Sequence, residues 1–119
     1  MTGLAERDAQ LSRGVLGPCI LALLTQGPRY GLQLVRELEA VGGLLTTQGT
    51  IYPLLDRLEQ SHYVRSSLRA DRGQPKRFYK LSADGEAELK RFRRQWDTFS
   101  QSVSTLLATG TQPEEEDTP

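Results

Sequence analysis

Two clusters in this 119-residue chain combine residue types and spacing that could do chemistry. The first is Thr47-Gln48-Gly49-Thr50 with Tyr52: hydroxyls, an amide and one residue without a side chain. Such a set can read donor and acceptor patterns at close range, and the free N–H groups of a helix opening there favour phosphate. The second is a basic block. Between Arg65 and Arg94, ten Lys or Arg stand against four acids, although 15 basic and 15 acidic residues cancel over the whole chain. Part of that cancellation comes from an acidic tail, Glu114, Glu115, Glu116 and Asp117. A concentrated block of one sign is an electrostatic footprint for a partner of the other.

Catalysis finds no support in these residues. With one Cys (Cys19) and one His (His62), those two types cannot supply the usual four zinc ligands. No nucleophile–base pair and no phosphate-binding glycine loop is visible, so the sequence indicates no enzyme, no cofactor and no metal. A single Cys excludes an internal disulfide and fits a reducing cytoplasm; Cys19 reads as a small buried hydrophobe. His62 reads as an exposed helix end. No apolar run approaches the ~20 residues that span a bilayer, and the start does not read as a signal peptide. The expectation is a cytoplasmic protein without a membrane partner.

The elements that must position the two clusters follow from periodicity. Residues 1–10 read as a polar arm or short helix. Pro18 to Gln26 forms a first helix, with Pro18 in its opening turn, Cys19, Ile20, Leu23 and Leu24 at 3.6 spacing, and Gly27-Pro28 as its stop. A second runs from Gly31 to Val41 and ends at Gly42-Gly43. A third opens at Thr46-Thr47 and carries the stripe Ile51, Leu54, Leu55 and Leu58. Gly49, Pro53 and Gln60 lie opposite, and Pro53 should distort that helix by removing a ladder bond. After Ser61 the period drops to two. Residues 63–69 and 76–81 read as strands, with residues 70–75 as the loop between them. Ser82 caps a last helix from about Ala83 to Ala108, in which Leu89, Phe92, Trp96, Phe99, Val103 and Leu106 form a heptad seam. From Thr109 onward the composition cannot bury enough apolar surface to order itself.

Three short helices followed by a hairpin is a winged helix-turn-helix layout. The fold class is mainly α with a β-hairpin: residues 11–81 as the DNA-binding domain, 82–108 as a long dimerisation helix, 109–119 as the tail. In that layout the polar face from Thr47 to Arg57, Pro53 included, meets the major groove. Arg72, Gly73, Gln74, Lys76 and Arg77 lie along the sugar-phosphate backbone or in the minor groove. Either cluster alone could be an ordinary solvated face; both at this distance favour DNA. A helix of ~25 residues is ~38 Å long, more than so small a core covers. Its remainder needs a partner, most simply an identical chain, and two reading helices ~34 Å apart reach successive groove faces. On spacing alone, Phe92, Trp96 and Phe99 simply pack that seam.

Tyr30-Gly31, then Gly49-Thr50-Ile51-Tyr52-Pro53-Leu54-Leu55-Asp56-Arg57-Leu58-Glu59, then Arg77-Phe78-Tyr79-Lys80-Leu81-Ser82-Ala83-Asp84-Gly85 resemble the PadR family of bacterial transcriptional regulators. The likeness extends from about Leu11 to Leu107. It implies a homodimer on a near-palindromic double-stranded DNA operator, usually a repressor released by a small molecule. The single C-terminal helix would mediate dimerisation, as in the smaller members. By position, Thr50 and Tyr52 match the family's recognition-helix contacts, Tyr30 and Gly31 the start of the helix that crosses the backbone, and Gly73 with its basic neighbours the wing. The family's habit of binding aromatic compounds near the dimer interface implies Phe92, Trp96 and Phe99 as a site for a small aromatic effector. Ser61-His62 departs from the pattern, since members commonly carry glycine at the end of the recognition helix. The rival reading of the same elements is a protein–protein adaptor without DNA binding, which the salt dependence of binding distinguishes.

Overall fold

The computed structural model describes residues 12–42 and 47–110. In chain order its elements are α1 (Leu16–Leu24), β1 (Arg29–Tyr30), α2 (Gly31–Val41), α3 (Gln48–Gln60), β2 (Val64–Asp71), β3 (Gln74–Leu81) and α4 (Ala83–Thr109). The N-terminal arm, Thr46 and the acidic tail lie outside the described residues. The helix expected from Pro18 begins two residues earlier, with Pro18 still in the first turn, where its missing N–H has no intrahelical partner to lose.

The chain divides into two compact units after Leu89. That division falls later than the expected domain boundary at residue 82, because the first two turns of α4 bury Gly85 and Leu89. The core of the first unit is layered from Leu16, Ile20, Leu21 and Leu24 of α1, Leu34, Val35 and Leu38 of α2, and Ile51, Leu55 and Leu58 of α3. Val64 and Tyr79 close it from the sheet. Each such side chain contributes about 1.5–3 kcal/mol by leaving water. Cys19 packs half-buried against this core, and burial pushes its thiol above the ordinary range, as suits an inert hydrophobe.

The sheet is antiparallel with strand order β1-β3-β2. The two-residue β1 pairs Arg29 with Tyr79 and Tyr30 with Phe78, an element too short for periodicity to reveal. The hairpin corrects the expected loop. Pairing continues to Ala70↔Pro75 and Asp71↔Gln74, leaving only Arg72 and Gly73 as the turn. Both have positive φ, 54° and 81°, the type I′ geometry that matches strand twist. Pro75 is tolerated because pairs alternate outward from the turn, which puts it at a non-hydrogen-bonded position where no N–H is required.

Two junctions aim the hairpin. At the end of α3 the Tyr63 N–H bonds the Leu58 carbonyl at 3.0 Å and the His62 N–H bonds the Glu59 carbonyl at 2.9 Å. This is a Schellman cap with His62 (φ 65°) in the left-handed position glycine usually takes. At the start of α4 the Ser82 hydroxyl accepts the Gly85 N–H at 3.0 Å and donates to the His62 carbonyl at 2.6 Å. Gly85 is there for closeness: a Cβ would strike the Tyr63 carbonyl oxygen and lie 2.7 Å from a Leu81 methyl.

A left-handed residue with a Cβ costs about 1 kcal/mol more than glycine. His62→Gly is therefore expected to raise stability by about that amount. The midpoint of urea unfolding should rise at unchanged slope.

Candidate nucleic-acid interface

The period of α3 separates core from surface. Ile51, Leu55 and Leu58 are buried, whereas Thr47, Gln48, Gly49, Thr50, Tyr52, Pro53 and Arg57 are all exposed. Thr47 caps the helix in extended conformation (φ −139°, ψ 168°), its carbonyl accepting the N–H groups of Thr50 and Ile51 at 3.0 Å. The Thr47 and Thr50 hydroxyls are 3.4 Å apart, so two hydroxyls and the amide of Gln48 crowd one helix tip. The N–H groups of Gln48 and Gly49 have no intrahelical acceptor by construction. The helix continues through Pro53 to Gln60. Asp56 also lies on the exposed side, beside Arg57.

Tyr52 is held rather than free. Its ring lies over Gly31, where a Cβ would come within 2.9 Å of both Cζ and the hydroxyl oxygen. Glycine at the first residue of α2 is therefore a seat for Tyr52, which keeps 39% of its surface exposed. Next to it, Tyr30 is half-buried: its ring meets Phe78 edge-on at 5.5 Å, and the Lys76 ammonium sits 4.3 Å above it. Tyr30 thus braces the wing against the start of α2. Arg29 is drawn into the fold as well, bonding Glu37 at 3.0 Å and the carbonyls of Gly27 and Pro28 at 3.1 Å.

The basic block is not one patch. Six of its cations lie on the hairpin, and Lys90, Arg91, Arg93 and Arg94 lie on α4 beyond Leu89. On the hairpin, adjacent residues point to opposite faces, so Lys76 and Arg77, grouped by composition, are separated. Register puts Arg69 with Lys76 and Arg65 with Lys80 on one face. Lys76 is ion-paired to Asp71 at 3.0 Å, and Arg69 lies 4.8 Å over the Phe78 ring. Arg77, on the other face, donates to the Ser66 hydroxyl at 3.0 Å. Arg72, Gly73 and Gln74 are exposed at the tip. Sequence spacing misses Arg69, Phe78 and Ser66; once the turn is placed at Arg72-Gly73, pairing brings all three to the wing.

Within α4, Leu89 is 4% exposed and belongs to the core of the first unit, which removes it from the expected seam. Beyond it, Phe92 and Trp96 stack at 6.2 Å, and Trp96 meets Phe99 at 6.1 Å. Trp96, Phe99, Val103 and Leu106 are exposed, Leu106 by 70%. A shallow concavity on this helix is lined by Thr98, Gln101, Ser102, Thr105 and Leu106 and includes none of the three rings. Among the described residues no three His, Cys, Asp or Glu side chains converge as metal ligands, and no helix is long and apolar enough to cross a membrane.

Residues 20–91 match the model of the transcriptional regulator PadR-like family. The chain belongs to that family. A crystal structure of a PadR-like transcriptional regulator from Bacillus cereus strain ATCC 14579 is 32% identical, covering 82% of this chain and 96% of its own, with a TM-score of 0.75. A PadR family regulator from Eggerthella lenta DSM 2243 is 30% identical over 87% of this chain and 91% of its own, with a TM-score of 0.76. A Streptococcus transcriptional regulator is 37% identical over 82% and 96%, with a TM-score of 0.71. No curated protein matches the chain. Within this PadR-like fold, α3 occupies the recognition-helix position and the β2–β3 hairpin the wing.

Gly31→Ala is expected to displace the Tyr52 ring and destabilise by about 1–3 kcal/mol, as overpacking does. In a Tyr52→Ala background the same substitution should have almost no effect on stability. Urea unfolding of the two single variants and the double variant measures the coupling; additive losses would show that Tyr52 is not seated on Gly31.

Proposed function

We propose that the chain is a sequence-specific DNA-binding repressor, a homodimer acting on a near-palindromic operator in the cytoplasm. The observation that carries this reading is the exposed polar tip of α3, Thr47 to Thr50, braced through Tyr52 and flanked by a cationic wing. Phosphate contacts from Arg72 and Arg77 set register, while Gln48, Thr50 and Tyr52 address base edges. Catalysis has no part in it.

Dimerisation is supported by the exposed seam of α4. Trp96, Phe99, Val103 and Leu106 at heptad spacing form an apolar stripe that water does not favour, and a second copy of the same helix covers it by knobs-into-holes packing. The three rings of Phe92, Trp96 and Phe99 offer flat apolar area, on which a small aromatic effector would bind and change the separation of the reading helices. Loss of that separation releases DNA, because both half-sites must be held together for full avidity.

Two measurements test the reading. Duplex affinity should fall steeply with salt, log K against log[salt] having a slope of about −0.9 per phosphate contacted. A flat dependence would favour a protein–protein adaptor instead. Trp96→Ala should weaken the dimer by about 2 kcal/mol or more, roughly 30-fold in dissociation constant. Sedimentation of the variant as an unchanged dimer would remove Trp96 from the interface.

A further inference from the structure

Glu59 lies in the last turn of α3, and its bonded neighbours are on the hairpin. Its Oε2 accepts the Ser66 backbone N–H at 3.1 Å and the Ser66 hydroxyl at 2.7 Å, and that hydroxyl accepts an Arg77 N–H at 3.0 Å. A hydroxyl has one proton. Once Ser66 donates it to Glu59, only lone pairs remain for Arg77, so the relay runs in one direction, from Arg77 through Ser66 to Glu59. The hydroxyl–carboxylate bond is charge-assisted and short, the strong kind.

The backbone explains why Ser66 is the bridge. β2 is the outer strand of the sheet. Counting the alternation outward from Asp71↔Gln74, Ser66↔Tyr79 is a non-hydrogen-bonded pair, so the Ser66 N–H points to the open edge. An unpaired edge N–H invites pairing with another chain. Glu59 covers it, and through the hydroxyl the same carboxylate fixes a guanidinium. Lys76 differs in being ion-paired directly to Asp71 at 3.0 Å. Among the described residues Arg77 has no ion pair, and it is exposed. It is held through a hydroxyl rather than by direct contact with a carboxylate, and four of its five donors are left for another acceptor.

We propose that Glu59 is a positioning residue for the DNA interface: through Ser66 it sets the angle between reading helix and wing and aims Arg77 at a phosphate. The proposal rests on the DNA-binding reading above. Its test is binding of the 119-residue chain to a mixed-sequence DNA duplex across a range of salt concentrations. Arg77→Ala should lower the slope of log K against log[salt] by about 0.9 for each wing engaged. Ser66→Ala should lower it by most of that amount, and Ser66→Ala/Arg77→Ala should go no further than Arg77→Ala. Glu59→Ala should behave as Ser66→Ala does, whereas Glu59→Gln, which keeps an acceptor oxygen, should restore most of the slope. Urea unfolding of each variant accompanies the titrations, and if Glu59→Ala does not fold, Ser66→Ala and Glu59→Gln decide. A merely structural role would reduce stability and affinity without moving the slope. A slope unmoved by Ser66→Ala, or additive losses in the double variant, would overturn the positioning role and leave DNA binding standing. A wild-type chain whose duplex affinity ignores salt would overturn the DNA reading and this proposal with it.

Discussion

The exposed tip of α3 points where it does because Ile51, Leu55 and Leu58 must be buried. A helix repeats every 3.6 residues, so fixing one stripe in the core fixes the direction of every other residue on the helix. Thr47, Gln48 and Thr50 need no contacts of their own with the rest of the chain to be aimed outward; the core aims them. The same stripe sets the height of Tyr52, one residue after Ile51, at the edge between core and solvent. There its ring finds the one position in α2 without a side chain. The exposed face of α3 is in this sense a by-product of core packing.

The hairpin needs a different kind of constraint, since beyond Val64 and Tyr79 little of it enters the core. Backbone bonds at its two ends fix where it leaves and rejoins the helices. The cap through His62 turns the chain out of α3 and delivers Tyr63 in register for β2, and the Tyr63 carbonyl accepts the Ser82 N–H at 3.1 Å where β3 leaves the sheet. Gly85 lets the first turn of α4 close onto that same carbonyl. One residue, Tyr63, thus ties together the end of α3, the base of the hairpin and the start of α4 through its N–H and its carbonyl. Burial raises the pKa of the Tyr79 phenol, with the Asp56 carboxylate adding to the effect and the Arg77 guanidinium opposing it.

Elements with a long period were legible in the sequence, and contacts that exist only after elements meet were not. The three short helices, the long helix and the cap at Ser82 follow from apolar spacing and local side-chain chemistry, which depend on neighbours in the chain, whereas Thr47 takes the N-cap position without a side-chain cap bond. The turn is not legible because Ala70 to Pro75 has loop composition, whereas its geometry is decided by two residues at positive φ and by pair alternation that excuses Pro75. β1 offers no pattern in two residues; it exists because Phe78 and Tyr79 present an edge. Leu89 fits the heptad seam and the core equally well by spacing, and only packing assigns it. Of the candidate interface, the α3 face and the wing tip were legible. The seat of Tyr52 and the Glu59–Ser66 bridge were not, since each joins residues from different elements.

Charge shows how far composition can mislead about a binding surface. Ten cations in thirty residues suggest one broad basic patch, yet pairing divides those on the hairpin between two faces and one of them is ion-paired. Lys76 has its partner in Asp71, and Arg69 has its guanidinium over an aromatic ring. Arg65 and Lys80 share a face with them, while Arg77 looks the other way and Arg72 stands at the turn. A rod-shaped polyanion cannot lie against both faces of a two-stranded ribbon at once. The number of phosphates one wing can neutralise is therefore set by strand alternation rather than by the count of basic residues. A cation held through a hydroxyl has no carboxylate in direct contact with it, whereas one bonded to a carboxylate shares its donors with that anion.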